Sequence, residues 1–181
     1  FPTRRSSDLN FWDDGKEVIG KSEEIEISAG GGGLLPIPER TQVRINIAEA
    51  KWETSEKEGT FISLKHQVVA PACYKNRLIF QKLHVNPVDG TINVKLSDED
   101  RQKKRSKALK MLAVIDTNAG GKLTSSTEKP DDLKLQSCLV GKGMMMMVGE
   151  YCFDTKDGVK IENPIDYMRG NWVMKVAPKD R

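Results

Sequence analysis

The chain has 181 residues and a mass of 20.3 kDa, with 38% apolar, 30% charged and 6% aromatic residues and a net charge of +3. This length suits one domain with a real core, since a chain near 150 residues buries ~70% of the surface it exposes when unfolded. Apolar runs such as Met144 to Val148 are far short of the ~20 residues of a membrane span, and no secretory signal is visible.

Phe1 to Leu9 reads FPTRRSSDL, the translation of the end of a common sequencing adapter (TTCCCTACACGACGCTCTTCCGATCT), and is set aside as an artefact. Residues 10–39 form an acidic, Gly/Pro-rich segment expected to be flexible. Asp13, Asp14, Glu17, Glu23, Glu24 and Glu26 face only Lys16 and Lys21, and Gly30 to Gly33 make a joint ahead of Pro36 and Pro38. A phosphate-cradling glycine loop is a poor fit, because no GKS/T ending and no preceding apolar strand accompany the run. From Arg40 to Lys110 the balance reverses, fifteen Lys/Arg against eight Asp/Glu, which suits a polyanionic partner or a well-solvated surface.

Residues 40–178 carry the folding signal. Thr41 to Trp52 alternates, with Val43, Ile45 and Ile47 on one face and Gln42, Arg44 and Asn46 on the other, which predicts a half-buried strand. Glu53 to Gly59 reads as a hairpin loop. Phe61 to Val69 is a second strand, with Ile62, Leu64, His66 and Val68 opposite Phe61, Ser63, Lys65 and Gln67. A third runs from Arg77 to Val85. Ser97, with Asp98, Glu99 and Asp100 behind it, opens a helix whose apolar stripe is Ala108, Met111, Leu112 and Ile115, and Gly120-Gly121 ends it. Pro130-Asp131-Asp132 starts a short second helix through Leu139. Gly143 to Phe153 is a fourth strand. Asn171 to Val176 is a fifth, with Trp172, Met174 and Val176 on one face.

This order predicts a mainly β protein: a five-stranded OB-fold barrel with a helix between strands three and four. A small α+β sandwich fits the same order. In an OB-fold the binding surface lies on strands two and three, beside the first hairpin loop and the loop between the last two strands, here Asp154 to Gly170.

No HxxxH, HEXXH, GxSxG or paired-carboxylate motif appears, so no catalytic residue, metal ligand or cofactor is expected. His66, Cys73 and His84 match no metal-ligand spacing. The odd cysteines Cys73, Cys138 and Cys152 form no CxxC, which suits a reduced, cytosolic protein. The cations of the first helix, among them Lys103, Lys107 and Lys110, read equally as a solvated face or as phosphate contacts. Stronger candidates combine aromatic rings with cations on strands, as single-strand binding requires. They are Arg44 and Trp52 on strand one, Phe61 and Lys65 on strand two, Lys75, Arg77, Phe80, Lys82 and His84 on or before strand three, and Trp172 on strand five. Phe61 and Phe80 are expected on the solvent side.

The segments PIPERTQVRINIAEAKW, YKNRLIFQKLHVNP, KALKMLAVIDTNAGGKL and GNWVMKVAP, taken as an ordered set over Asn10 to Lys179, resemble the single-stranded DNA-binding proteins encoded by tailed bacteriophages. The resemblance implies an OB-fold that coats single-stranded DNA in phage replication or recombination, in the cytoplasm of the infected bacterium. Phage replication or recombination proteins would be its partners, with no membrane association and no enzymatic activity. The chain ends Ala-Pro-Lys-Asp-Arg instead of in the acidic tail of many replication single-strand binders. An OB-fold protein–protein adaptor of such a complex, without DNA contact, is the alternative.

Overall fold

The computed structural model describes residues 35–86, 97–156, 158–162 and 168–179. The set-aside segment 1–9 and most of the acidic segment 10–39 lie outside the described residues. The chain is mainly β: β1 (Gln42–Ser55), β2 (Gly59–Ala70), β3 (Leu78–Leu83), α1 (Asp98–Ala119), α2 (Asp132–Leu139), β4 (Gly143–Phe153), the two-residue strands β5 (Thr155–Lys156) and β6 (Val159–Lys160), and β7 (Met168–Ala177).

Five strands form one antiparallel sheet in the order β3-β2-β1-β4-β7, and β5 pairs with β6 as a separate hairpin. The edge strands β3 and β7 approach one another, but among the described residues no ladder joins them, and the sheet is open. Both helices fall between β3 and β4 in sequence. Ser97 caps α1 by accepting the Asp100 N–H, and Gly120 closes it at φ 115°, a left-handed conformation that costs glycine little. Asp131 caps α2 in the same way, accepting the Lys134 N–H.

The core lies between the inward face of the sheet and the two helices. Val43, Ile45, Ile47, Ile62, Leu64, Val68, Ile79, Met144, Met146 and Val148 meet Leu112, Ile115, Leu135 and Leu139 there. Period-two alternation places the apolar set of each strand on this face. Ile37 joins the core, and its backbone N–H and C=O are both bonded to the Asn171 amide at 2.9 and 2.8 Å. The end of the expected flexible segment is therefore fastened to β7.

Bulges alter the expected faces at two places. In β1, Ile47 pairs with His66 and Glu49 with Lys65, which leaves Ala48 as an extra residue. The alternation shifts by one, so Ala50 is buried and Trp52 turns to the core side instead of sharing a face with Arg44. In β7, Val173 pairs with Val148 and Lys175 with Met147, which makes Met174 the extra residue. Val173 and Val176 point inward, and the expected shared face of Trp172, Met174 and Val176 does not form.

Candidate nucleic-acid interface

The outward face of β1, β2 and β3 carries most of the expected residues. Phe80 is 60% exposed, so its ring is available to solvent. It pairs across the ladder with Lys65, whose Nζ lies 5.8 Å from the ring centroid. Lys82 stands on the same face, opposite Ser63. Arg44 is exposed on β1, between Ala70 of β2 and Met145 of β4. Lys75 is exposed at the end of the 3-10 turn Ala72–Tyr74. Arg77 sits at the entry to β3, donating to the Leu35 carbonyl at 2.6 Å, with its guanidinium 5.5 Å from the Tyr74 ring centroid.

Two aromatic assignments are corrected. Phe61 is only 2% exposed, because Lys82 lies 5.2 Å over its ring and His84 packs 5.3 Å from it, centroid to centroid. Its ring is covered, not free on the solvent side. Trp52 is held by an indole N–H bond to the Pro130 carbonyl at 2.8 Å, and Lys129 lies 4.5 Å over its ring. The bulge at Ala48 is the reason it leaves the outward face. His84 follows β3 and is half-buried, with its Nε2 3.8 Å from a Glu58 oxygen.

Sequence reasoning missed the partners of these cations. Lys82 donates to Glu58 at 2.6 Å, Lys65 to Glu49 at 3.1 Å, and Lys51 to Glu49 and Glu53 at 2.7 and 3.2 Å. The lysine hydrogen bonds hold the Glu49 carboxyl below the ordinary range, with Lys51 first and Lys65 next. Lys82 does the same for Glu58 against a smaller opposing effect of partial burial. Exposed pairs of this kind are weak, because solvent screens them, so a phosphate can displace the glutamate. Lys51 meets Glu49 and Glu53 two residues away along β1, whereas Lys65 meets Glu49 only once β1 and β2 pair, and Glu58 reaches Lys82 across 24 residues, which no local pattern reveals.

The outward face continues across β4 and β7. Met144, Met146 and Val148 are buried, so Met145, Met147, Gly149, Tyr151 and Phe153 face outward. On β7 the outward residues are Gly170, Trp172 and Lys175, opposite Tyr151, Gly149 and Met147. Trp172 is 46% exposed and Phe153 58%. The odd-numbered parity of Tyr151 and Phe153, opposite to the buried methionines, is the sequence signal that could have found them.

The remaining chemistry does not assemble. His66 is fully buried, with its Nε2 2.9 Å from the Gln81 side-chain Oε1, while Cys73 is exposed outside the sheet core. Among the described residues, no cluster of three or more His, Cys, Asp or Glu is placed to hold a metal ion. The α1 cations lie on the helix that covers the inward face, where Lys103 pairs with Glu99 and Arg105 donates to the Val85 carbonyl. Among the described residues, no helix is long and apolar enough to cross a membrane. No protein-family model matches the chain, and no curated protein matches it.

Proposed function

We propose that the protein binds single-stranded DNA without sequence preference and coats it during phage replication or recombination. The observation that carries this reading is the solvent-facing Phe80 ring with Lys65 beside it, on strands that ordinarily form the binding face of an OB-fold. The strand order, with α1 between β3 and β4, supports an OB-type barrel open between β3 and β7. Unstacked bases would lie on the exposed ring, and phosphates would take the lysines from their glutamates. Binding of this kind needs no metal, cofactor or catalytic group. Its setting would be the cytoplasm of an infected bacterium, with other phage replication or recombination proteins as further partners.

The test is a titration of labelled oligo-dT, duplex DNA and RNA of equal length over a range of salt. Oligo-dT is expected to bind more tightly than the duplex, with log affinity falling by about 0.7 per neutralised phosphate for each log unit of salt. Glu58→Gln releases Lys82, and should raise low-salt affinity and steepen the slope by about one phosphate's share. Absent binding, or a slope near zero, contradicts the reading.

One observation favours the adaptor reading. A groove of about 700 Å³ lies between the β1 bulge and α2, lined by Ala48, Glu49, Ala50, Gln136, Val140 and the strongly exposed Leu133. A protein that leaves all three nucleic acids unbound would direct attention to that groove.

A further inference from the structure

The two halves of the outward face differ in charge and in how their rings are seated. Over β1 to β3, the lysines are matched by Glu49, Glu53 and Glu58. The outward positions of β4 and β7 hold no acid. Glu150 turns the other way, accepting the Glu39 N–H at 2.9 Å. Among the described residues, no carboxylate comes within ion-pair distance of Lys175 on β7 or of Arg44 beside Met145. A cavity of about 130 Å³ opens between Gln42, Met145, Met147, Lys175 and Ala177 on this half.

The aromatics here are seated on glycine. Trp172 faces Gly149, and Tyr151 faces Gly170, across the β4–β7 ladder. A Cβ added to either glycine would overlap the opposing ring, so each ring lies against its neighbour's backbone with no side chain between. The Trp172 indole N–H also reaches the Glu150 carbonyl at 3.3 Å. Tyr151 and Phe153 continue the strip with ring centroids 5.5 Å apart. The product is a row of rings partly open to solvent, two of them seated on glycine backbone, beginning next to uncompensated cations.

We propose that this outward strip of β4 and β7 is a second nucleobase-stacking platform, with Trp172, Tyr151 and Phe153 taking successive bases of a single strand and Lys175 and Arg44 taking its phosphates. The proposal rests on the single-strand-binding reading and extends it past β2 and β3. Positive charge without acids favours a polyanion over a neutral apolar partner, and flat exposed rings favour unpaired bases, which offer a π face whatever the sequence.

The test is anisotropy of labelled oligo-dT at low salt, alongside melting temperature and sedimentation of each variant. Phe153→Leu keeps the apolar bulk and loses the ring. Tyr151→Leu does the same one row nearer the cations. Each is expected to weaken binding about 5- to 160-fold while the melting temperature stays near the wild-type value. Trp172→Phe keeps a ring over Gly149, and should remove most of the tryptophan quenching that oligo-dT produces, whereas Trp52→Phe should retain it. If the wild type binds oligo-dT and Phe80→Ala weakens it, but both leucine variants bind normally, the platform is wrong and the single-strand reading stands. If the leucine variants alter sedimentation without altering affinity, the strip is a contact between copies and the proposal is overturned. If the wild type does not bind at all, the underlying reading fails first.

Discussion

Ile45→Ala is expected to cost about 2–5 kcal/mol of folding stability, one of the largest effects a single truncation can have here. Ile45 is fully buried, opposite Val68 on one neighbouring strand and Met144 on the other. Removing its side chain takes away buried hydrocarbon and leaves a cavity in the centre of a sheet that can close only partly. Net domain stability is ordinarily about 5–15 kcal/mol, so the loss would show as a large fall in the urea midpoint. Because Ile45 points away from the outward face, the fraction that remains folded should bind oligo-dT as the wild type does. Weakened binding with an unchanged urea midpoint would invert the face assignment of β1.

The second large effect is acid destabilisation through His66. The ring is buried beside Leu64 and Ile79, one nitrogen bonded to Gln81 and Nδ1 without a partner. Burial pushes its pKa down from 6.5 to about 4, and the Gln81 bond offsets this only in part. The folded protein therefore keeps the imidazole neutral where the unfolded chain takes up a proton. Stability is full above pH 6.5 and falls as the pH drops towards 4. At about 1.4 kcal/mol per pH unit, the window is worth about 3 kcal/mol. His84 acts with the same sign, its pKa lowered first by burial and then by Lys104. Glu49 and Glu58, both depressed, add their losses at more acid pH. Urea unfolding of His66→Leu between pH 7 and pH 4.5 should show a much flatter acid limb than the wild type. An acid limb of unchanged steepness in that variant would show that His66 is not its source.

Much of this architecture is legible in the sequence, because the strands keep a period of two between their bulges. Val43, Ile45 and Ile47 declare the inward face of β1, whereas β3 reads as mixed, because Leu78 shares the outward parity of Phe80 and Lys82. Gly143 and Phe153 bound β4 as the pattern predicts, and Ser97, Asp131 and Gly120 mark helix ends through local capping chemistry. The illegible features all depend on what lies across a ladder. The extra residues Ala48 and Met174 are defined by register against another strand, so parity counted along one segment passes through them unaware. Phe61 has the parity of an exposed ring, yet is covered by Lys82 and His84 from β3 and its exit. Lys65 and Lys82 read as free charges because their glutamates are distant in sequence or face them only once β1 and β2 pair.

Phe80→Ala tests most directly whether the outward face binds a single strand through its exposed ring. Oligo-dT affinity and thermal melting would be measured on the same preparation. Phe80 contributes little to the core, so the melting temperature should barely move, while affinity should fall by about 1–3 kcal/mol, the usual cost of losing one stacking aromatic. A variant that melts early, yet binds with wild-type affinity in its folded fraction, would contradict the account.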